Sequence, residues 1–217
     1  MLLFAFSVFT ISLSGVLMPG PVTAVTIAKG YESGLAGALV GLGHVIVELP
    51  LMVLTYLGLS RYLVMPRAKG LVSLAGGAML VFMGISLLGL AGASYYEKSL
   101  SYHPVVAGIA TTAANPYFYL WWATVGAALV LKAQAFGRGG MFIFAGVHSL
   151  CDVGWLLLIS LVVFKSRQLG MEEVWRVVFS LCALLLAGFG AWFIVAGVRC
   201  IRREVLAKAA STPQGGV

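Results

Sequence analysis

Six apolar runs, at roughly 3–27, 35–59, 70–92, 104–131, 140–164 and 175–198, dominate a chain of 217 residues. Each is near the ~20 residues that a helix needs to cross a bilayer core of ~30 Å. Long unbroken apolar stretches, without the alternation of a barrel strand, read as helices. Composition agrees: 61% of the residues are hydrophobic and 10% charged, against ~25% charged in a soluble domain. The expected fold class is an all-α integral membrane protein with six transmembrane helices. The connections are short, and none holds a separate folded domain.

The formal net charge of +7 raises nucleic acid as a partner. The basic residues, however, fall between the apolar runs, where the positive-inside rule accounts for them, so no nucleic acid partner is expected. Six spans put both termini on one side, with Arg61, Arg67, Lys69, Lys132, Arg138, Arg199, Arg202, Arg203 and Lys208. The other side carries Lys29, Lys98, Lys165, Arg167 and Arg176. That asymmetry predicts cytoplasmic termini in a multi-pass protein of the cell membrane. The stretch Met1–Ser14 is apolar with no basic segment before it, so it reads as a retained first helix and not a cleaved signal. Cys151, Cys182 and Cys200 form no CxxC pair and read as small apolar helix residues, which argues against a thiol–disulfide carrier. Nothing in the sequence calls for a cofactor. The basic stretch from 199 to 217 ends in Ser, Thr, Pro, Gln and Gly, a composition that predicts a disordered cytoplasmic tail.

Two of the six runs are interrupted. The first contains Met18-Pro19-Gly20-Pro21 and the fourth Asn115-Pro116. Proline removes a backbone donor and clashes with the preceding turn, so both helices are expected to break at proline. In a membrane such a break persists only where protein, water or a substrate satisfies the freed groups. Pro50, in the second run, is a third kink candidate.

The interruptions belong to a repeat. Residues 1–92 form one set of three spans and 104–198 a second, joined by a connecting loop at 93–103. In each set a proline-broken span precedes one with His-x-x-x-acid at its middle: His44 with Glu48, then His148 with Asp152. Three spans is an odd number, so the two sets run in opposite directions, as an inverted three-helix repeat. Such repeats place substrate sites near the midplane, on broken helices. Histidine and carboxylate four residues apart share one helix face, and ionisable groups at mid-membrane are costly and usually functional.

Met18-Pro19-Gly20-Pro21, and Ala113-Ala114-Asn115-Pro116 followed by aromatic residues, resemble the corresponding segments of the LysE-type (lysine exporter) translocator family. The resemblance covers the chain up to the tail. It implies a cytoplasmic-membrane exporter of amino acids or related small solutes, driven by the proton gradient, within a superfamily that also exports divalent cations. The paired His44/Glu48 and His148/Asp152 depart from the family pattern, in which an acidic residue tends to stand alone in the second span. That departure bears on the substrate and not on the transporter class.

Three roles suit two imidazoles and two carboxylates. Histidine titrates near neutral pH, so the four can exchange protons for substrate. The carboxylates can hold an ammonium. Two His and two carboxylates also suit a divalent metal such as Zn or Mn. The plain alternative is a pair of buried hydrogen bonds tying helices together. The expected site therefore comprises His44, Glu48, His148, Asp152 and Asn115, with helix breaks at Pro19, Gly20, Pro21 and Pro116.

Amides freed after Pro21 favour an anionic group. Thr23 and Thr26 line that segment or back-bond to their own helix. Tyr117, Phe118, Tyr119, Trp121 and Trp122 build a cation-binding wall or face lipid and neighbouring helices. With no nucleophile motif or cofactor fingerprint, the chain reads as a transporter and not as an enzyme. Its expected partners are a small-molecule substrate, amino acid first, and the lipid bilayer; homo-oligomerisation is left open.

Overall fold

The protein is all-helical in its computed structural model, which describes residues 1–17, 20–58, 65–91, 102–167, 169 and 172–211; no strand occurs among them. The first apolar run divides into α1 (Leu2–Val16) and α2 (Pro21–Glu32). At 1.5 Å per residue these reach about 22 and 18 Å, so neither crosses a bilayer alone. The second run is α3 (Ala36–Tyr56) and the third α4 (Pro66–Ala91). The fourth comprises α5 (Pro104–Ala113), α6 (Pro116–Trp121), a π-helical turn (Trp122–Gly126) and α7 (Ala127–Gln134). The last two runs are α8 (Gly137–Arg167) and α9 (Glu172–Ser211).

Among the described residues three helices are long and apolar enough to cross a membrane: Ala36–Tyr56, Gly137–Arg167 and, within α9, Arg176–Glu204. The outward surface matches that environment, with Leu3, Phe6, Phe82, Phe142 and Leu150 all exposed. A water-soluble protein rarely exposes so many large apolar side chains.

Helix breaks follow the local chemistry. Pro21 occupies the first turn of α2, where its missing N–H costs nothing, behind an extended Gly20. Pro116 does the same for α6. Pro50 behaves differently, since α3 runs through it without interruption. Lys29, assigned to a loop by the charge count, lies in α2 and is 2% exposed. It pairs with Glu32 at 3.1 Å and sits 5.4 Å from the centre of the Tyr102 ring. A charge can be buried when it is paired in this way. The tail also differs from expectation. α9 continues to Ser211, so residues 199–211 are helical, because Arg, Glu, Leu, Lys and Ala there are strong helix formers and the first breaker is Pro213. Pro19, most of the connecting loop and residues 212–217 lie outside the described residues.

α3 and α8 form the centre. α3 packs on α5 and α8, while α1 and α2 both pack on α8. Glycine sets the closest contacts. A Cβ on Gly43 of α3 would run into the Val105 carbonyl of α5, and one on Gly108 of α5 into the Val40 carbonyl of α3. α4 and α9 form an antiparallel pair along Gly70, Gly77 and Gly84 on one side and Gly197, Gly190 and Ala183 on the other, and α9 also packs on α2. Both series step by seven residues. At Gly77 an added Cβ would lie 2.6 Å from the Gly190 carbonyl oxygen, and the reciprocal contact is also 2.6 Å. Small residues at these positions let the two backbones approach as membrane helices do.

Candidate functional site

α3 and α8 meet at their polar residues. On α3, His44 and Glu48 share a face one turn apart, and His44 Nε2 lies 3.3 Å from Glu48 Oε1. His148 and Asp152 repeat the arrangement on α8, at 3.7 Å. The two pairs interlock: His148 Nε2 is 3.0 Å from Glu48 Oε1, and His44 Nε2 is 3.9 Å from Asp152 Oδ2. Glu48 is 1% exposed, His148 3% and Asp152 5%.

Each imidazole has a second partner. His44 Nδ1 is 2.9 Å from Thr112 Oγ1 of α5, and His148 Nδ1 is 2.7 Å from Ser12 Oγ of α1. With the proton on Nε2, His148 donates to Glu48 Oε1, His44 faces the same oxygen at 3.3 Å, and both rings accept from the two hydroxyls. Glu48 Oε2 and Asp152 Oδ2 are then left buried with no hydrogen-bond partner among the described residues.

Aromatic rings hold His148 in place. Trp121 stacks on it with ring centres 5.2 Å apart and planes 7° apart, and Phe144 stacks at 5.7 Å. Trp122 meets it edge-on at 5.5 Å, and Phe118 meets His44 edge-on at 5.5 Å. Gly15 of α1 makes room for Trp121: a Cβ there would lie 3.1 Å from the indole nitrogen. Phe118, Trp121 and Trp122 thus pack on the two imidazoles. The π-helical turn begins at Trp122, directly after Trp121, and such turns recur at functional sites.

A cavity of about 380 Å³ lies against this cluster, within the range of small-molecule sites. Its wall contains His44, Glu48, His148 and Asp152, both breaks through Gly20, Pro21 and Asn115, and the aromatic residues Phe189, Trp192 and Phe193 of α9. No lysine or arginine lines it among the described residues. Tyr117 and Trp192 line the cavity while remaining 42% and 61% exposed, so they sit at its rim. Of the break residues expected at the site, Pro116 starts α6 without lining the cavity.

The second break satisfies its own backbone. Pro116 has no N–H for the Thr112 carbonyl, which accepts from the Asn115 amide instead. The Tyr117 amide turns to Asn115 Oδ1 at 3.0 Å, and the Ala113 carbonyl it leaves accepts from the Tyr119 hydroxyl at 3.0 Å. Freed groups inside a membrane need such substitutes. Thr26 back-bonds to the Val22 carbonyl at 2.8 Å, whereas Thr23 lines the cavity.

The sequence model of the LysE type translocator family matches residues 13–197. The chain belongs to the LysE type translocator family. Membership implies the export of amino acids or related solutes, and the match takes in both helix breaks and all four residues of the cluster. No curated protein and no solved structure matches this translocator. Ser12, Thr112, Phe189, Trp192 and Phe193 are the site residues that sequence reasoning missed in it. A single hydroxyl or ring in an apolar helix carries no signal of its own.

Proposed function

We propose that the protein is a secondary transporter of the cytoplasmic membrane that exports amino acids or related amines in exchange for protons. In this reading six spans form two inverted three-helix repeats, with α1–α2 and α5–α7 as the broken first span of each. Both termini lie in the cytoplasm, as the distribution of basic residues suggests. Glu48 and Asp152 carry the coupling charge, His44 and His148 tune it, and the two breaks hold the solute.

One observation carries the reading. Histidine–acid pairs from equivalent places in the two halves meet at a single cavity that both helix breaks also line. Buried carboxylate oxygens without donors in such a place invite a proton or an ammonium. Transport into inverted vesicles along an imposed proton gradient tests it. The double variant Glu48→Gln/Asp152→Asn is expected to lose proton-driven accumulation. Full proton-driven transport by that variant sinks the coupling role of the carboxylates.

A divalent cation is the second reading, favoured by one point of geometry. His44, Glu48 and Asp152 each offer a ligand atom, all within 4.8 Å of one another, and His148 Nε2 approaches the same oxygens. Thermal stabilisation by Zn or Mn that disappears in His44→Ala and His148→Ala is its expected signature. A flat response to Zn, Mn and Cd removes it.

A further inference from the structure

Resting on the export reading, we propose that the solute is a zwitterionic amino acid with a bulky apolar side chain, branched or aromatic, and not lysine or arginine. The cavity wall separates three chemistries, each matched to one part of such a molecule.

The first is a cation subsite. Glu48 Oε2 and Asp152 Oδ2 are buried acceptors without donors among the described residues. The imidazoles face Asp152 Oδ2 only at ion-pair range, 3.7 and 3.9 Å, no lysine or arginine lines the described wall, and a buried carboxylate oxygen without a hydrogen bond is unfavourable. An ammonium brings three N–H donors. Both acids lie against the same imidazole, at 3.3 and 3.9 Å from His44 Nε2. They therefore make one cation subsite and not two.

The second is a set of donors. Asn115 spends its oxygen on the Tyr117 amide, which leaves its NH₂ group without a partner among the described residues on a side chain that lines the cavity. α2 starts on the same wall at Pro21, with no side-chain cap. The amides of Val22 and Thr23 in its first turn have no helical acceptor, and helix starts attract negative charge. These groups fit a carboxylate.

The third is apolar. Phe189, Trp192 and Phe193 of α9 line the cavity and carry no formal charge. Glu48 and Asp152 are the acidic residues on the described wall, and the α-ammonium occupies them both. The side-chain ammonium of lysine, or the guanidinium of arginine, would find no further carboxylate among the described wall residues and would displace apolar contact with the buried Phe193. A leucine or phenylalanine side chain buries apolar surface there instead.

The experiment is a binding panel on purified wild-type protein, read by intrinsic tryptophan fluorescence and by thermal stabilisation. The ligands are L-phenylalanine, L-leucine, L-lysine, phenethylamine (which lacks the carboxylate) and 3-phenylpropionate (which lacks the amine). L-phenylalanine and L-leucine are expected to saturate the site at least about tenfold more tightly than the other three. Trp192→Ala is expected to weaken L-phenylalanine by about tenfold relative to L-alanine. Lysine binding as tightly as phenylalanine overturns the apolar class while leaving amino-acid export standing. Phenethylamine equal to phenylalanine overturns the zwitterion. Folded protein that binds no amino acid of any class overturns the export reading itself.

Discussion

His148 Nε2 comes closer to Glu48 of the neighbouring helix, at 3.0 Å, than to Asp152 one turn along its own, at 3.7 Å. The tighter bond therefore crosses between the two halves of the chain. Glu48→Gln and His148→Asn are each expected to destabilise the protein by about 1–3 kcal/mol, since either leaves a buried polar group unmatched. Because the residues share one bond, the double variant is expected to fall short of the sum by at least about 1 kcal/mol. Denaturant unfolding of the purified variants in micelles measures this, and strict additivity would show that the two residues act independently.

Close helix approach at Gly43 predicts an asymmetry among glycines. Gly43→Ala drives a methyl into the Val105 carbonyl of α5. An expected loss of about 1–3 kcal/mol follows from such overpacking. Gly146→Ala meets nothing within 4 Å, and gains up to about 1 kcal/mol from helix propensity. Melting temperatures of the two variants should move in opposite directions.

The π-helical turn makes a kinetic prediction. A Cβ on Gly126 would lie 2.5 Å from the Trp122 ring, and that ring borders His148. Gly126→Ala is expected to move the indole and slow transport by at least about tenfold, as small misplacements at a site do. Vesicle transport and the tryptophan emission maximum report the two effects separately. An unchanged rate with a shifted emission would show that Trp122 is not needed where it sits.

At the far end of α8, Arg167 Nη1 donates to the Tyr31 carbonyl at 2.9 Å while its guanidinium lies 5.3 Å from the Tyr31 ring and 5.8 Å from Phe164. Lysine cannot stack and fork in this way. Arg167→Lys is therefore expected to recover less than half of the roughly 1–2 kcal/mol lost in Arg167→Ala. Comparing the two melting curves decides it.

Much of this arrangement was legible because it depends on covalent constraints. Pro21 and Pro116 lack an N–H wherever they are placed, so the helix starts could be read directly. Spacing by four put each histidine beside its acid before any packing was known. The meeting of the two pairs was legible only through the duplicated His-x-x-x-acid spacing, which suggested that His44 and His148 face a common site. Ser12 and Thr112 were not legible, since which hydroxyl reaches which ring depends on how α1 and α5 rotate about their axes. The heptad of Gly70, Gly77 and Gly84 was present in the sequence, and matching it to Ala183, Gly190 and Gly197 would have paired α4 with α9. Lys29 was misplaced because charge counting treats every cation as solvent-facing, whereas pairing with Glu32 allows burial.

The hydroxyls of Ser12 and Thr112 bear on what a second proton on either imidazole would require. A hydroxyl donates or accepts by turning about one bond, so Nδ1 of His148 or His44 keeps its neighbour whether or not it is protonated. The carboxylates have no such freedom. A second proton on a ring would be met at Nδ1 by a turn of the Ser12 or Thr112 hydroxyl and would strengthen the attraction to Glu48 at Nε2. The two hydroxyls, one on α1 and one on α5, thus leave each ring a neighbour in either state, while the shared contact at Glu48 lies on α3.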